Sequence, residues 1–348
     1  MEQMRTDQKF DQAVGIFPIE LRELLLSLPV QIKKQVYEIR IRNDLPLHLC
    51  LGGRQAFLTT EGGLTEHPPK GCVIIDRNTL AECFRSVCGY SVHAHQEDMK
   101  RGFITLSGGH RVGICGTCVS ENDQISGVRE ISSLNIRIAR EIYGAADELI
   151  HLLGESPSGT LIAGVPGSGK TTVLRDLARR LSDGSLGRFY KITVIDERGE
   201  IAAMSGGAMQ NHLGYSCDVL SGYPKGEAML QAIRTLSPDL ILCDEIGDKN
   251  DVDGLLASMY AGVAIIATVH SGSIEELFSR RQMLPLMETG AFSTLCFLGD
   301  SSRPGRVSSL YRAGEKDDQD HGNDLHYRGW RLCWTQGLTV PDPAGHPA

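Results

Sequence analysis

The chain lacks an excess of basic residues and a long hydrophobic run. Its 348 residues carry 35 Lys and Arg against 43 Asp and Glu, which gives a formal net charge of −8. Because the protein carries a net negative charge, its surface as a whole does not favour nucleic-acid binding. The longest uncharged apolar stretch, residues 255–269, is too short to span a bilayer, and no secretory signal is visible near the N-terminus. We therefore expect a soluble protein without a transmembrane segment of its own.

A disulfide framework is also missing. Ten cysteines are scattered along the chain, most of them inside apolar stretches, which is typical of reduced core thiols. Cys115 and Cys118 form one C-x-x-C pair with no second pair at zinc-finger spacing, so the pattern gives a metal site little support. With 41% hydrophobic and 22% charged residues the composition is that of a globular protein, and the length favours two domains.

A glycine-rich loop stands between an apolar strand-like run and an amphipathic helix pattern. Residues 164–171 fit G-x-x-x-x-G-K-[ST]. Glycines in such a loop let successive backbone N–H groups surround phosphates at a helix N-terminus. Lys170 would neutralise the outer phosphates, and the Thr171 hydroxyl would hold Mg²⁺. The predicted nucleotide-binding residues are Gly164, Val165, Pro166, Gly167, Ser168, Gly169, Lys170, Thr171 and Thr172.

Two other apolar runs end in adjacent carboxylates. One leads into Asp196 and Glu197, and the other leads into Asp244 and Glu245. The second is a Walker B pattern, in which Asp244 would contact Mg²⁺ and Glu245 would polarise the attacking water. A carboxylate of the first pair could also orient and deprotonate water. The sequence leaves open which glutamate is the general base.

A third apolar run ends near Thr268 and His270, either of which could read the state of the γ-phosphate. From residue 141 onward, strand patterns alternate with helix patterns, which indicates an α/β domain with a mainly parallel sheet covered on both faces. Ligands of such sheets bind at the carboxyl ends of the strands. The three strand ends and the glycine-rich loop are therefore expected to form one site.

The rest of the chain has a different organisation. Residues 1–140 show hairpin patterns and short helices and are expected to form a smaller α+β domain. Residues 141–300 are expected to form the phosphate-loop domain. Residues 301–348 are rich in polar residues and are expected to be a mobile C-terminal tail.

Together the motifs resemble the secretion and pilus-retraction ATPase superfamily. The phosphate loop, the acidic strand end, a Leu-x-Pro-Asp segment before the Walker B strand and an Ala-Thr-Val-His segment occur in that superfamily's order. Within the superfamily the chain resembles the stage III sporulation protein AA family, over roughly residues 17–300. The segments that carry this second resemblance are 108–113, 135–140 and 194–200.

The resemblance implies a RecA-like P-loop NTPase core that hydrolyses ATP with Mg²⁺. It implies a homohexameric motor at the cytoplasmic face of a membrane channel complex during endospore formation, either free in the cytoplasm or peripheral at the membrane. The catalytic residues that it implies are Asp196, Glu197, Glu245 and His270, with Asp244 and Thr171 at the metal. Arginine fingers of the family come from the N-terminal domain, and the candidates here are Arg111, Arg137 and Arg140.

Other functions remain open on the sequence alone. A nucleic-acid-associated RecA-like ATPase is the main alternative, because arginines alternate along strands of the first domain, although the net charge of −8 makes nucleic acid an unfavoured partner. A scaffold gated by nucleotide would bind ATP with negligible turnover. A small-molecule kinase is less favoured, because it needs neither the second acidic strand end nor the histidine strand.

Overall fold

The computed structural model describes residues 2–68, 70–100, 102–121, 124–154, 159–247, 250–281, 283–313, 326–327 and 329–335. The chain divides into two compact units. The first contains the residues up to Glu141 together with 204–210, and the second contains the remainder. The division lies next to the expected domain boundary at residue 140. Segment 204–210 belongs to the first unit, although the expected boundary places it in the second.

The first unit is an α+β unit built on an antiparallel sheet. The helices are α1 Glu2–Ala13, α2 Ile19–Leu26, α3 Val30–Gln35, α4 Arg77–Val87 and α5 Gln96–Lys100. The strands are β1 Val36–Arg42, β2 Leu45–Pro46, β3 His48–Leu51, β4 Arg54–Leu58, β5 Leu64–Thr65, β6 Ile74–Ile75, β7 Phe103–Thr105, β8 Arg111–Glu121 and β9 Gln124–Arg137. The described residues form seven strands of the sheet in the order β5-β4-β3-β1-β9-β8-β7, and β2 pairs with β6.

Alternation along β1 explains why this sheet has one apolar and one polar face. Ile39 and Ile41 are fully buried in the core of the unit. Arg40 and Arg42, which alternate with them along the strand, are partly exposed. Within the same unit, the side chain of Gln210 accepts a hydrogen bond of 2.7 Å from the backbone N–H of Gly108. This contact holds part of segment 204–210 against the first unit.

The second unit has a mainly parallel sheet with helices. The helices are α6 Asp147–Leu153, α7 Lys170–Ser182, α8 Lys225–Thr235, α9 Asp251–Tyr260, α10 Ile274–Ser279 and α11 Leu284–Glu288. The strands are β10 Thr160–Gly164, β11 Ile192–Asp196, β12 Cys217–Ser221, β13 Leu240–Cys243, β14 Ala264–His270, β15 Thr294–Leu298, β16 Val307–Ala313, β17 His326–Tyr327 and β18 Trp330–Thr335. The described residues form nine strands of the sheet in the order β12-β11-β13-β14-β10-β15-β16-β18-β17.

The central strands read as continuous apolar runs because both faces of the sheet are covered. All residues of β10, β11, β13 and β15 are buried. Strands β12, β11, β13, β14, β10 and β15 pair in parallel, so the carboxyl ends of β10, β11, β13 and β14 lie along one edge. The phosphate loop follows β10, and the acidic pairs lie at the ends of β11 and β13. The sheet therefore brings the predicted motifs to the same edge.

The prediction of a mobile C-terminal tail is wrong for part of that segment. Residues 307–313 and 330–335 form β16 and β18, two antiparallel strands that extend the sheet beyond β15. Val307 and Leu310 are buried, and Trp330 belongs to the apolar core of the unit. The polar segment before Val307 is the turn that connects β15 to β16, so the domain continues beyond it. Residues 314–325 and 336–348 of the expected tail lie outside the described residues.

Among the helices that the structure describes, none combines the length and the apolar character that crossing a membrane requires.

Candidate functional site

The phosphate loop follows β10 and leads into α7. Gly167 and Gly169 have φ values of 78° and 90°, a region that side-chain-bearing residues rarely adopt. A Cβ at Gly164 would collide with the Ser168 hydroxyl, so this position also needs glycine. Val173, Leu174, Leu177 and Leu181 are buried along one face of α7, which fixes the helix on the sheet. All nine residues predicted to bind nucleotide lie in this loop, at the end of β10 or in the first turn of α7.

Lys170 is buried within the loop and makes three short polar contacts. Its Nζ donates to the carbonyl oxygens of Gly164 at 2.8 Å and Val165 at 3.0 Å, and lies 3.2 Å from His270 Nδ1. Burial lowers the pKa of the Lys170 ammonium, and the carboxylates of Asp244 and Glu245 oppose this shift. The Lys170 ammonium group therefore lies in the part of the loop that would bind the outer phosphates of a nucleotide.

His270 connects this lysine to Glu245. Because an ammonium group is only a donor, His270 Nδ1 accepts from Lys170, which leaves the proton of a neutral imidazole on Nε2. Nε2 lies 2.6 Å from Glu245 Oε1, so the ring donates to the carboxylate. His270 thus connects the ammonium group at the start of α7 to the carboxylate that follows β13.

Asp244 and Thr171 offer a pair of oxygen ligands. Thr171 Oγ1 lies 2.7 Å from Asp244 Oδ2, and the Thr268 hydroxyl donates to the other carboxylate oxygen of Asp244. A threonine hydroxyl and a carboxylate are hard oxygen donors of the kind that Mg²⁺ prefers. The donor set therefore fits a magnesium ion held between the phosphate loop and the end of β13.

Glu245 has an unusual backbone conformation. Its φ is 48°, in the left-handed region, and its N–H donates to Thr268 Oγ1 at 2.8 Å and to Asp244 Oδ1 at 3.1 Å. Its side chain also forms an ion pair with Arg198. Strained positions of non-glycine residues persist where the surroundings hold them, and they are concentrated at functional sites. The strand β14 thus supplies Thr268 to fix the turn that presents Glu245.

The acidic pair after β11 has different partners. Asp196 is buried and accepts hydrogen bonds from the N–H groups of Glu200, Ile201 and Ala202, at 2.7, 3.1 and 2.8 Å. Glu197 forms an ion pair with Lys225 at the start of α8. A pocket contains both pairs and is lined by Asp196, Glu197, Arg198, Glu200, Lys225, Asp244 and Glu245. All seven of these residues carry an ionisable side chain.

Sequence reasoning missed two contributors to this site. Lys225 stands in the first turn of α8, where the helix dipole disfavours a cation, and this was the available signal. The second is the turn between β15 and β16, where the N–H of Gly305 donates to the carbonyl of Ser168 at 2.8 Å. A Pro304-Gly305 pair after an apolar strand could have indicated a tight turn at the same sheet edge.

The predicted arginine fingers have described contacts within the first unit. Arg140 donates to the carbonyls of Lys33 and Val36, at 2.8 and 2.7 Å. Arg137 lies 3.8 Å from Glu38, and Arg111 stacks over the ring of Phe103 at 4.6 Å. Their role in catalysis stays a prediction.

The two cysteines of the C-x-x-C pair, Cys115 and Cys118, are both exposed. Over the described ranges, no group of three or more His, Cys, Asp or Glu side chains is arranged to hold a metal ion.

Comparisons with known proteins agree with the fold. The family model described as Sporulation stage III, protein AA matches residues 7–317. Stage III sporulation protein AA of Bacillus subtilis (strain 168) is 37% identical over 303 residues, which cover 86% of this chain and 94% of the relative. The ATPase DotB of Yersinia pseudotuberculosis has a TM-score of 0.50 and 14% identity, over 80% of this chain and 75% of DotB. The expected RecA-like P-loop core after a smaller α+β unit is confirmed.

Proposed function

The chain belongs to the Sporulation stage III, protein AA family, and we propose that it hydrolyses Mg-ATP to drive a membrane-associated machine during endospore formation. The observation that carries this proposal is the hydrogen-bonded series from Lys170 through His270 to Glu245. It joins the phosphate loop to a carboxylate that can act on water. A simple phosphate-binding loop would need no such connection.

In the proposed reaction, the phosphate loop and Lys170 bind the β- and γ-phosphates of ATP. Thr171 and Asp244 would hold Mg²⁺, which would neutralise phosphate charge. Glu245 accepts a proton from a water molecule as the water oxygen bonds to the γ-phosphorus. The bond between that phosphorus and the bridging oxygen breaks, and its electrons leave with ADP. The products are ADP and inorganic phosphate.

Glu245 is the better candidate for the general base. Its carboxylate contacts His270, which in turn contacts Lys170, whereas Glu197 is paired with Lys225. The Asp196 carboxylate accepts hydrogen bonds from three backbone N–H groups and thereby stabilises a turn. We therefore propose that Glu245 activates water and that the first acidic pair supports the pocket.

Turnover of ATP by the purified chain tests this proposal. Release of inorganic phosphate is measured with Mg-ATP for the unchanged chain, Lys170→Ala and Lys191→Ala. Lys191 is an exposed lysine of the same unit that donates to the Ser237 carbonyl, and it serves as the matched control. We expect turnover to be lost in Lys170→Ala and retained in Lys191→Ala. Equal turnover in all three would overturn the proposal.

The assembly and location belong to the same proposal. The resemblance to secretion ATPases supports a homohexamer, peripheral at the cytoplasmic face of a membrane channel complex, in which an arginine from the first unit of a neighbouring subunit completes the site. Mass from light scattering and turnover, measured on the same samples over a range of concentrations, test this idea. A rate per subunit that rises as a hexamer appears is expected. A constant rate from a monomer would contradict the shared site.

A second candidate function is ATP hydrolysis coupled to nucleic acid. One observation favours it: Arg40, Arg42 and Arg137 alternate with buried residues on strands of the first unit, so they share the polar face of its sheet. Turnover measured with and without single-stranded DNA or RNA, at low and high salt, separates this candidate. Stimulation that falls steeply with salt would support it. Turnover that nucleic acid does not change would exclude it.

A further inference from the structure

The turn between β15 and β16 lies directly against the phosphate loop. We call residues 299–306 the β15–β16 loop. The N–H of Gly305 donates to the carbonyl of Ser168 at 2.8 Å. A Cβ built on Gly167 would lie 3.4 Å from Ser301 Cβ. A segment far away in sequence therefore touches the motif that would receive phosphate.

This hydrogen bond fixes the orientation of one peptide group in the phosphate loop. The carbonyl of Ser168 and the N–H of Gly169 belong to the same planar trans peptide, so they point in opposite directions. When Gly305 holds the Ser168 carbonyl on the side of the β15–β16 loop, the Gly169 N–H points away from that loop. N–H groups of this kind surround the phosphates in a phosphate loop.

Two glycines allow the close approach. A Cβ at Gly169 would lie 2.7 Å from the Gly305 nitrogen, so the two backbones could not pack in this way with a larger residue there. Gly305 itself has a φ of 83°. A Cβ at Gly305 would have only ordinary contacts, 3.6 Å to Val173 and 3.9 Å to the Ala145 carbonyl. The requirement at Gly305 is therefore one of backbone conformation, not of space.

The loop is also anchored at its base. The Gly299 N–H donates to the Arg306 carbonyl at 2.8 Å, which closes the turn. Glu148 of α6 accepts the Val307 N–H at 3.2 Å and lies 3.7 Å from the Arg306 guanidinium. These contacts hold Gly305 at a fixed position relative to the unit, so its bond to Ser168 can restrain the phosphate loop.

We propose that Gly305 is a positioning residue of the nucleotide site, which holds the Ser168–Gly169 peptide so that its N–H is preorganised for a phosphate of a nucleoside triphosphate. This inference rests on the proposed function. Gly305 lies outside the phosphate-loop motif. We expect it to affect the binding of phosphate rather than the attack by water.

Phosphate-dependent binding tests the inference in the full chain. The dissociation constant of Mg-ATP is measured by calorimetry, and inorganic tripolyphosphate serves as a competitor that carries phosphates without a base. In Gly305→Val the left-handed backbone is disfavoured, and we expect both ligands to bind roughly tenfold more weakly or worse. Asparagine tolerates the left-handed region, so Gly305→Asn should bind nearly as tightly as the unchanged chain.

Gly299→Ala is the matched control in the same loop. Gly299 has no positive φ, and its added Cβ would meet only atoms at 3.6 Å, so binding should not change. Thermal unfolding without ligand is measured for each variant. If Gly305→Val does not fold, Gly305→Ala takes its place, with a smaller loss in the same direction.

The outcomes separate this inference from the proposed function. Weaker binding of both ligands by Gly305→Val, with recovery in Gly305→Asn, supports the inference. If the unchanged chain binds Mg-ATP and Gly305→Val binds it equally well, only the inference is overturned. If Gly305→Asn is as weak as Gly305→Val, backbone conformation is not the cause and the inference is also overturned. If the unchanged chain binds neither ligand, the proposed function and the inference are both overturned.

Discussion

Two pairs of adjacent Asp and Glu residues end neighbouring parallel strands of the second unit, yet their surroundings differ. Asp196 after β11 is buried and accepts three backbone N–H groups, and Glu197 is paired with Lys225. After β13, the oxygens of Asp244 face hydroxyl groups, and Glu245 contacts His270. The first aspartate holds a turn, and the second pair is the one that we propose acts on the nucleotide.

The difference arises from what surrounds each pair rather than from the pair itself. After Glu197 the chain turns back through Arg198-Gly199-Glu200, which brings N–H groups onto the Asp196 carboxylate. After Asp244, the neighbouring strand β14 supplies a threonine hydroxyl that holds Glu245 in the left-handed region. The same dipeptide can therefore have different surroundings, set after β11 by the chain that follows it and after β13 by a neighbouring strand.

The largest expected effect separates the two glutamates. Glu245→Gln removes the proposed base while keeping size and shape, and we expect turnover to fall by about 10² to 10⁴. Glu197→Gln removes an ion pair on the pocket wall, and we expect turnover to fall by less than about tenfold. Steady-state phosphate release gives both values, and calorimetry with Mg-ATP verifies that each variant still binds substrate. A loss in Glu197→Gln as large as that in Glu245→Gln would contradict the division of roles.

The two aspartates should also differ in what they contribute to stability. In Asp196→Asn, the amide nitrogen cannot accept the third backbone N–H, so a buried donor loses its partner. We expect the free energy of unfolding to fall by about 2 kcal/mol, measured by urea denaturation.

Asp244→Asn is the matched comparison for this effect. Its amide can still exchange hydrogen bonds with the hydroxyls of Thr171 and Thr268, so the free energy of unfolding should change by less than about 1 kcal/mol. The same variant should lose the dependence of ATP binding on Mg²⁺. A greater loss of stability in Asp244→Asn than in Asp196→Asn would reverse the proposed roles.

The two acidic pairs also show which features of the fold and the site a sequence pattern can predict. The phosphate-loop motif and the order of strands predict the parallel sheet and the meeting of Lys170, Asp244 and His270 at one edge, because short motifs determine local backbone and parallel strands align their carboxyl ends. Those patterns cannot predict which glutamate pairs with Lys225, because an ion pair depends on a helix distant in sequence. Composition misled the prediction for residues 307–313 and 330–335, since the polar turn at 299–306 is followed by a continuation of the sheet.

A smaller effect is expected at the lysine that holds Glu197. Lys225 is mostly buried, and Lys225→Met keeps much of its apolar stem while removing the charge. We expect the free energy of unfolding to fall by about 1 kcal/mol, because Glu197 is left without its partner.

A double-mutant cycle with Glu197→Gln isolates this pair. The double variant Lys225→Met/Glu197→Gln should recover most of the stability lost in Lys225→Met alone. Turnover should change little, because Glu245 keeps its own contacts. A strong rise of turnover in Lys225→Met would mean that Glu197, once released, acts as a base.

The smallest effect is expected at Arg198, which pairs with Glu245 but has a side chain that is 63% exposed. Exposed ion pairs contribute little and are screened by salt. Because the guanidinium competes for the carboxylate that must accept a proton, we expect Arg198→Ala to raise turnover by less than about fivefold at low salt. The unchanged chain should approach the rate of the variant as salt is added, and phosphate release over a salt series measures this convergence. A tenfold loss in Arg198→Ala would instead show that this arginine stabilises the reacting phosphate, and the charged wall after β11 would then take part in the chemistry at the end of β13.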